Sequence, residues 1–263
     1  MEQKNLPVGF FDSGLGGISV LRETLKLLPQ EDYLYYGDSL HAPYGVKTVE
    51  EVESLVAASA EHLLARGVKA IVVACNTATS VAIRFLRSTY PELPVIGTEP
   101  AVKPAAERHP GGRILVLATP MTVKEEKFLR LRARYEQQAQ IIAVPCGGLM
   151  EFVERGELQG PEVEAYLLDR LEPYLKVPVD AVVLGCTHYP FLRGAIRRIV
   201  GRRPEIIDGS RGIAQQLRRK LAERGLLRES DTPGQIVFEN SLDSPEILAR
   251  SRALLAFADE QGE

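Results

Sequence analysis

The sequence predicts an α/β protein: two pseudo-symmetric α/β domains with mostly parallel sheets and an active site in the cleft between them. Three observations predict it. Short apolar runs alternate with amphipathic stretches of helical period along the whole 263-residue chain, the pattern of parallel strands covered by helices. Two of those runs, 70–74 and 181–184, are apolar throughout, as strands buried on both faces are. Each leads into a cysteine followed by polar residues, Cys75-Asn76-Thr77 in one case and Cys186-Thr187-His188 in the other.

The elements follow in order. A strand is expected over 8–11, then a Gly-rich turn and a helix over 18–28. A second strand covers 33–36, and 37–47 is a loop containing Pro43 and Gly45. Thr48 and Glu51 have capping-box spacing and open a long helix, which stops near Gly67. The strand over 70–74 leads into a helix that ends near Tyr90. The pattern then repeats, with a strand over 113–117, a second capping box at Thr122 and Glu125, and a helix to about Tyr135. Strands over 141–144 and 181–184 flank a helix over 161–175. The chain closes with a strand over 205–207, a helix from Ser210, a strand over 235–238 and a helix from Ser244. The expected division assigns 1–97 with 207–263 to the first domain and 98–206 to the second.

Composition excludes several classes. Hydrophobic residues make up 45% and charged residues 25%, with a net charge of -3, the balance of a globular protein. The Arg-rich stretches at 130–134 and 197–203 are broken by apolar residues and read as solvated helix faces, so nucleic acid is not an expected partner. Three cysteines cannot form a complete disulfide framework, and none makes a CxxC pair. With four histidines, no metal site is expected. No apolar run approaches membrane-spanning length and no signal peptide is read, so a cytoplasmic location is expected.

The repeat carries the chemistry. The cysteine-bearing segments lie 111 positions apart. A weaker echo pairs the strand end at Asp12-Ser13 with that at Thr119-Pro120. Ligand chemistry in parallel sheets sits at the carboxyl ends of the strands, which gathers Asp12, Ser13, Cys75, Thr119 and Cys186 at one cleft. A lone buried cysteine is more often a small hydrophobe, and Cys146, followed by two glycines, is read that way. Two cysteines at equivalent strand ends, each followed by amide, hydroxyl or imidazole groups, point instead to function. Inverting an acidic carbon needs one base and one acid on opposite faces, and thiols of free pKa near 8.5 suit both roles. A helix N-terminus behind each cysteine is expected to stabilise its thiolate. Asp12 is a candidate partner for Cys75, in competition with a turn-capping role, and His188 for Cys186. No lysine stands in a context that suggests a Schiff base with pyridoxal phosphate. Ser13, Asn76, Thr77 and Thr187 could instead supply donors around a substrate carboxylate.

The motifs resemble those of the glutamate racemases, within the larger family of aspartate and glutamate racemases. The resemblance rests on Phe11-Asp12-Ser13-Gly14-Leu15-Gly16-Gly17, Tyr36-Gly37-Asp38 with Pro43-Tyr44-Gly45, Cys75-Asn76-Thr77-Ala78-Thr79, and Gly185-Cys186-Thr187-His188-Tyr189-Pro190, in that order over nearly the whole chain. It implies a cofactor-independent, metal-free interconversion of L- and D-glutamate that supplies peptidoglycan synthesis. Cys75 and Cys186 would be the acid/base thiols, assisted by Asp12 and His188. Asp12, Ser13, Pro43, Tyr44, Gly45, Asn76, Thr77, Thr187 and His188 would hold the substrate. Thr119 and Thr122 match a threonine pair of the same pocket, and Glu154 falls where the family carries an acid near the second thiol. A homodimer is implied, and activation by a cell-wall precursor is not expected. Thr79 and His188 stand where aspartate racemases usually carry His and Glu, which favours glutamate. A nucleotide-binding loop at Gly14-Leu15-Gly16-Gly17 is the reading from a different class, and Ser19 breaks its GxGxxG pattern. A non-enzymatic binder of acidic amino acids would not need the cysteine pair.

Overall fold

The computed structural model describes residues 2–257. Met1 and 258–263, which the expected division assigns to the first domain, lie outside the described residues. The strands are β1 (Val8–Asp12), β2 (Tyr33–Gly37), β3 (Ala70–Val73), β4 (Val95–Gly97), β5 (Arg113–Ala118), β6 (Gln140–Pro145), β7 (Ala181–Leu184), β8 (Glu205–Asp208) and β9 (Ile236–Asn240). The helices are α1 (Ile18–Leu27), α2 (Val49–Ala65), α3 (Asn76–Thr89), α4 (Val102–Arg108), α5 (Pro120–Lys124), α6 (Glu126–Tyr135), α7 (Leu149–Arg155), α8 (Pro161–Leu175), α9 (Arg193–Val200), α10 (Ser210–Glu223) and α11 (Pro245–Ala256).

Two parallel sheets result, ordered β4-β3-β1-β2-β9 and β8-β7-β5-β6. Up to the added β9 the orders are the same, with β1, β2, β3 and β4 taking the places of β5, β6, β7 and β8. The repeat seen in the sequence is therefore a repeat of topology. The 206/207 boundary falls inside β8, whose residues through Asp208 pair with β7. After β8 the chain returns to the first sheet: α10 packs on α1, and β9 pairs with β2.

Burial explains the apolar strands. Val72 faces one apolar cluster and Ile71 and Val73 another. Val182 and Leu184 join the first of these clusters, while Ala181 and Val183 face a third. The cluster shared by both sheets joins the two halves. The capping box at Thr48 and Glu51 forms with both of its bonds.

The expected box at Thr122 and Glu125 does not form. The chain enters the helix earlier, where Thr119 accepts from the Thr122 N–H and Pro120 occupies the first turn, the position proline favours. Glu125 then begins α6 with no side-chain cap. β4, α4, α5, α7 and α9 are additional to the elements expected.

Candidate active site

The carboxyl ends of β1, β3, β5 and β7 meet where the two sheets face each other. Cys75 ends β3 as the N-cap of α3, and its sulfur accepts from the Ala78 N–H at 3.4 Å. Ser13 Oγ lies 3.4 Å from the same sulfur. These donors favour a thiolate, as the sequence leads one to expect. Burial outweighs them, and with the nearby Asp12 charge it pushes the Cys75 thiol up to about 12. Cys75 therefore holds its proton firmly.

Asp12 is fully buried at the end of β1. Its Oδ2 accepts from the Gly14 N–H at 3.1 Å and from the Tyr35 hydroxyl at 3.4 Å, while Oδ1 has no partner. Burial raises its pKa, partly offset by the charge of His188. Asp12 thus does the turn-capping job as well as neighbouring Cys75.

The second thiol has a different setting. Cys186 Sγ lies 3.6 Å from His188 Nδ1, and His188 Nε2 lies 2.7 Å from Glu154 Oε1. Burial alone would pull the imidazole pKa down, but the bonds to Cys186 and Glu154 hold it well above its usual value. Glu154 Oε1 also accepts from the Leu15 N–H at 2.7 Å, so α7 touches the Gly-rich turn after β1. The glycines of that turn make room for the His188 and Glu154 side chains. A Cβ on Gly16 would sit 2.3 Å from the His188 ring, and one on Gly14 would sit 2.1 Å from Glu154 Oε1.

Asn76 donates to the Gly185 carbonyl at 2.5 Å, leaving its Oδ1 buried without a partner. Thr77, Thr119 and Thr122 form a triangle of hydroxyls with edges of 3.1, 3.4 and 2.9 Å. Gly45 lies against Thr119, where an added Cβ would approach to 3.3 Å. Tyr44, after the cis Ala42–Pro43 bond, is buried and donates to Asp38 Oδ2 at 2.6 Å. Thr187 is buried, and its carbonyl accepts from the Ser19 hydroxyl at 2.7 Å.

Most of the residues expected at the site thus fall in these neighbouring groups; Pro43 is seen only through its cis bond before Tyr44, and Cys146 lies apart, fully buried in the shared core. Sequence reasoning gave no site role to three residues: Tyr35, which donates to the Gly14 carbonyl at 2.9 Å as well as to Asp12, Ser19, named only as breaking a glycine pattern, and Asp38, named only within a motif. A signal existed for Ser19, a polar residue inside the apolar stripe Ile18, Val20, Leu21. Among the described residues no three His, Cys, Asp or Glu side chains are grouped to hold a metal, and no helix is long and apolar enough to cross a membrane.

A sequence model of the Asp/Glu/hydantoin racemases matches residues 17–217. The chain belongs to that family. It is therefore an isomerase. The glutamate racemase of Clostridium perfringens is 48% identical over 252 residues, covering 96% of this chain and 97% of the relative. Among solved structures, a glutamate racemase from Bacillus anthracis matches with a TM-score of 0.86 at 30% identity, covering 97% of this chain and 95% of that one. A glutamate racemase of Francisella tularensis, solved in complex with D-glutamate, matches with a TM-score of 0.84 at 27% identity over 97% and 95% of the two chains.

Proposed function

We propose that this isomerase is a glutamate racemase, and that Cys75 and Cys186 exchange the α-proton from opposite faces of the substrate without a cofactor. The observation that carries the reading is the pairing of two buried thiols at equivalent strand ends, β3 and β7, in a chain 48% identical to a glutamate racemase over 96% of its length.

One thiolate removes the α-proton, and the other thiol returns its own proton to the opposite face. After each turnover the two sulfurs have exchanged protonation states. Asp12 beside Cys75, and the imidazolium of His188 held by Glu154 beside Cys186, return them to the starting state. The carbanion between the steps needs fixed donors, which the helix N-terminus at α3 and the hydroxyls of Ser13, Thr77 and Thr187 offer. Asp12 Oδ1 and Asn76 Oδ1 are buried acceptors without partners. A substrate ammonium brings three N–H donors and would satisfy both. The threonine triangle with Tyr44 and Gly45 suits the side-chain carboxylate.

We further assign two domains divided at about 97/98 and 206/207, a homodimer, a cytoplasmic location and the supply of D-glutamate to peptidoglycan. The return of β9 to the first sheet supports the discontinuous first domain.

The test is α-proton exchange in deuterated water with purified protein and L-glutamate or L-aspartate. D-Glutamate carrying α-deuterium, lost in both Cys75→Ser and Cys186→Ser, is the expected result. Exchange with aspartate alone would keep the thiol chemistry and change the substrate. No exchange with either, in folded protein, would return both cysteines to the core.

A further inference from the structure

Cys186 is held from both sides by the other half of the molecule. The carbonyl before it, Gly185, accepts from the Asn76 amide at 2.5 Å, and the carbonyl after it, Thr187, accepts from the Ser19 hydroxyl at 2.7 Å. Both donors belong to elements on the first sheet, α3 and α1, and both are buried. Asn76 directly follows Cys75. Ser19 stands in the first turn of α1, whose N–H bonds to Gly16 in the turn that carries Asp12 and Ser13. Other helical hydroxyls in this protein, Thr24, Ser59 and Ser251, bond the carbonyl four residues back, the usual choice. Ser19 reaches into the opposite half instead.

We propose that Ser19 is a positioning residue that, with the Asn76 amide, holds Cys186 in register with Cys75 across the cleft. The inference rests on the two-thiol reading above. Both sulfurs must reach one carbon from opposite sides, and proton transfer falls steeply with misplacement, by about a hundredfold for 1 Å. Two bonds that flank Cys186 and originate beside Cys75 fix that span directly. Loss of one leaves Cys186 free to shift, while Cys75 and its partners Ser13 and Ala78 stay as they are.

The test uses Ser19→Ala in the full chain with α-deuterated L- and D-glutamate. The equilibrium constant of a racemisation is one, so kcat/KM must fall equally in both directions, here by about ten- to a hundredfold. The primary isotope effects need not move together. Where Cys186 abstracts the proton, its step becomes slower and the isotope effect rises. In the opposite direction Cys186 returns the proton, abstraction by Cys75 is no longer limiting, and the isotope effect falls toward one. Ser251→Ala, which deletes a buried hydroxyl in α11, is expected to leave both isotope effects at their wild-type values. Ser19→Thr keeps the donor and is expected to do the same. A uniform rate loss in Ser19→Ala with both isotope effects unchanged would overturn the proposal, as would wild-type kinetics. The underlying reading is judged separately: it fails if Cys75→Ser and Cys186→Ser still turn L-glutamate into D-glutamate.

Discussion

At the scale of single residues, the three cysteines divide by their surroundings. Cys75 is held as a thiol by burial and by Asp12, while Cys186 has an imidazole beside it. Cys146 is fully buried, and burial pushes its thiol up to about 12 from 9.0. The consequence is a pH dependence of stability with a defined sign. Below pH 9 both folded and unfolded chains keep these protons. Above pH 9 the unfolded thiols lose theirs, and the folded ones keep them until about 12. Stability therefore falls as pH rises through that window. In Cys146→Ala the slope of unfolding free energy between pH 9 and 12 should be shallower by about 1.4 kcal/mol per pH unit. Urea titrations at several pH values measure this, and an unchanged slope would refute it.

At the scale of elements, the turn between β1 and α1 is one of the joints between the halves. Gly16 packs directly on the His188 ring, and Leu15 donates to Glu154. Gly16→Ala should displace the imidazole from Cys186 and lower kcat by about a hundredfold while the protein stays folded. Steady-state kinetics beside circular dichroism would check it, and near-normal turnover would show that the ring need not stand where it does. The glycines of this turn were legible in the sequence as a motif, but their reason was not, because the side chains they admit come from the segment after β7 and from α7. The capping boxes teach the same lesson from the other side. Thr48 and Glu51 form theirs, whereas Thr122 is drawn into the hydroxyl triangle after Pro120 has already begun α5. The spacing was present in both; the earlier start removed the second. β4 has three residues and α7 seven, too short for periodicity to mark.

At the scale of the whole molecule, the shared strand order means that the site is made by bringing two similar ends together. The two apolar strands ending near Cys75 and Cys186 made this repeat visible in the sequence. The orphan acceptors, the Tyr35 hydroxyl and the partner that Ser19 reaches could not be seen there, since each depends on atoms distant in the chain. The opposite ends of the first sheet are secured by a buried ion pair. Lys69, with its side chain fully buried, lies 2.5 Å from Glu31 and also donates to the Lys4 carbonyl at 2.5 Å. Glu31 accepts in turn from the Arg228 N–H at 2.9 Å. Lys69→Met leaves a buried carboxylate uncompensated and should destabilise the fold by about 3–5 kcal/mol. Chemical denaturation would reveal it, and a loss under 1 kcal/mol would mean that the pair is readily replaced.

The fifth strand of the first sheet has a consequence for how the protein is made. β9 pairs with β2, yet roughly 200 residues separate them in the chain, so β2 leaves the ribosome well before β9. At ordinary synthesis rates the interval is on the order of tens of seconds. Through that interval the outer edge of β2 offers unpaired backbone donors and acceptors to any neighbouring nascent chain. The border that β9 finally closes is thus open to mispairing until that strand has been made.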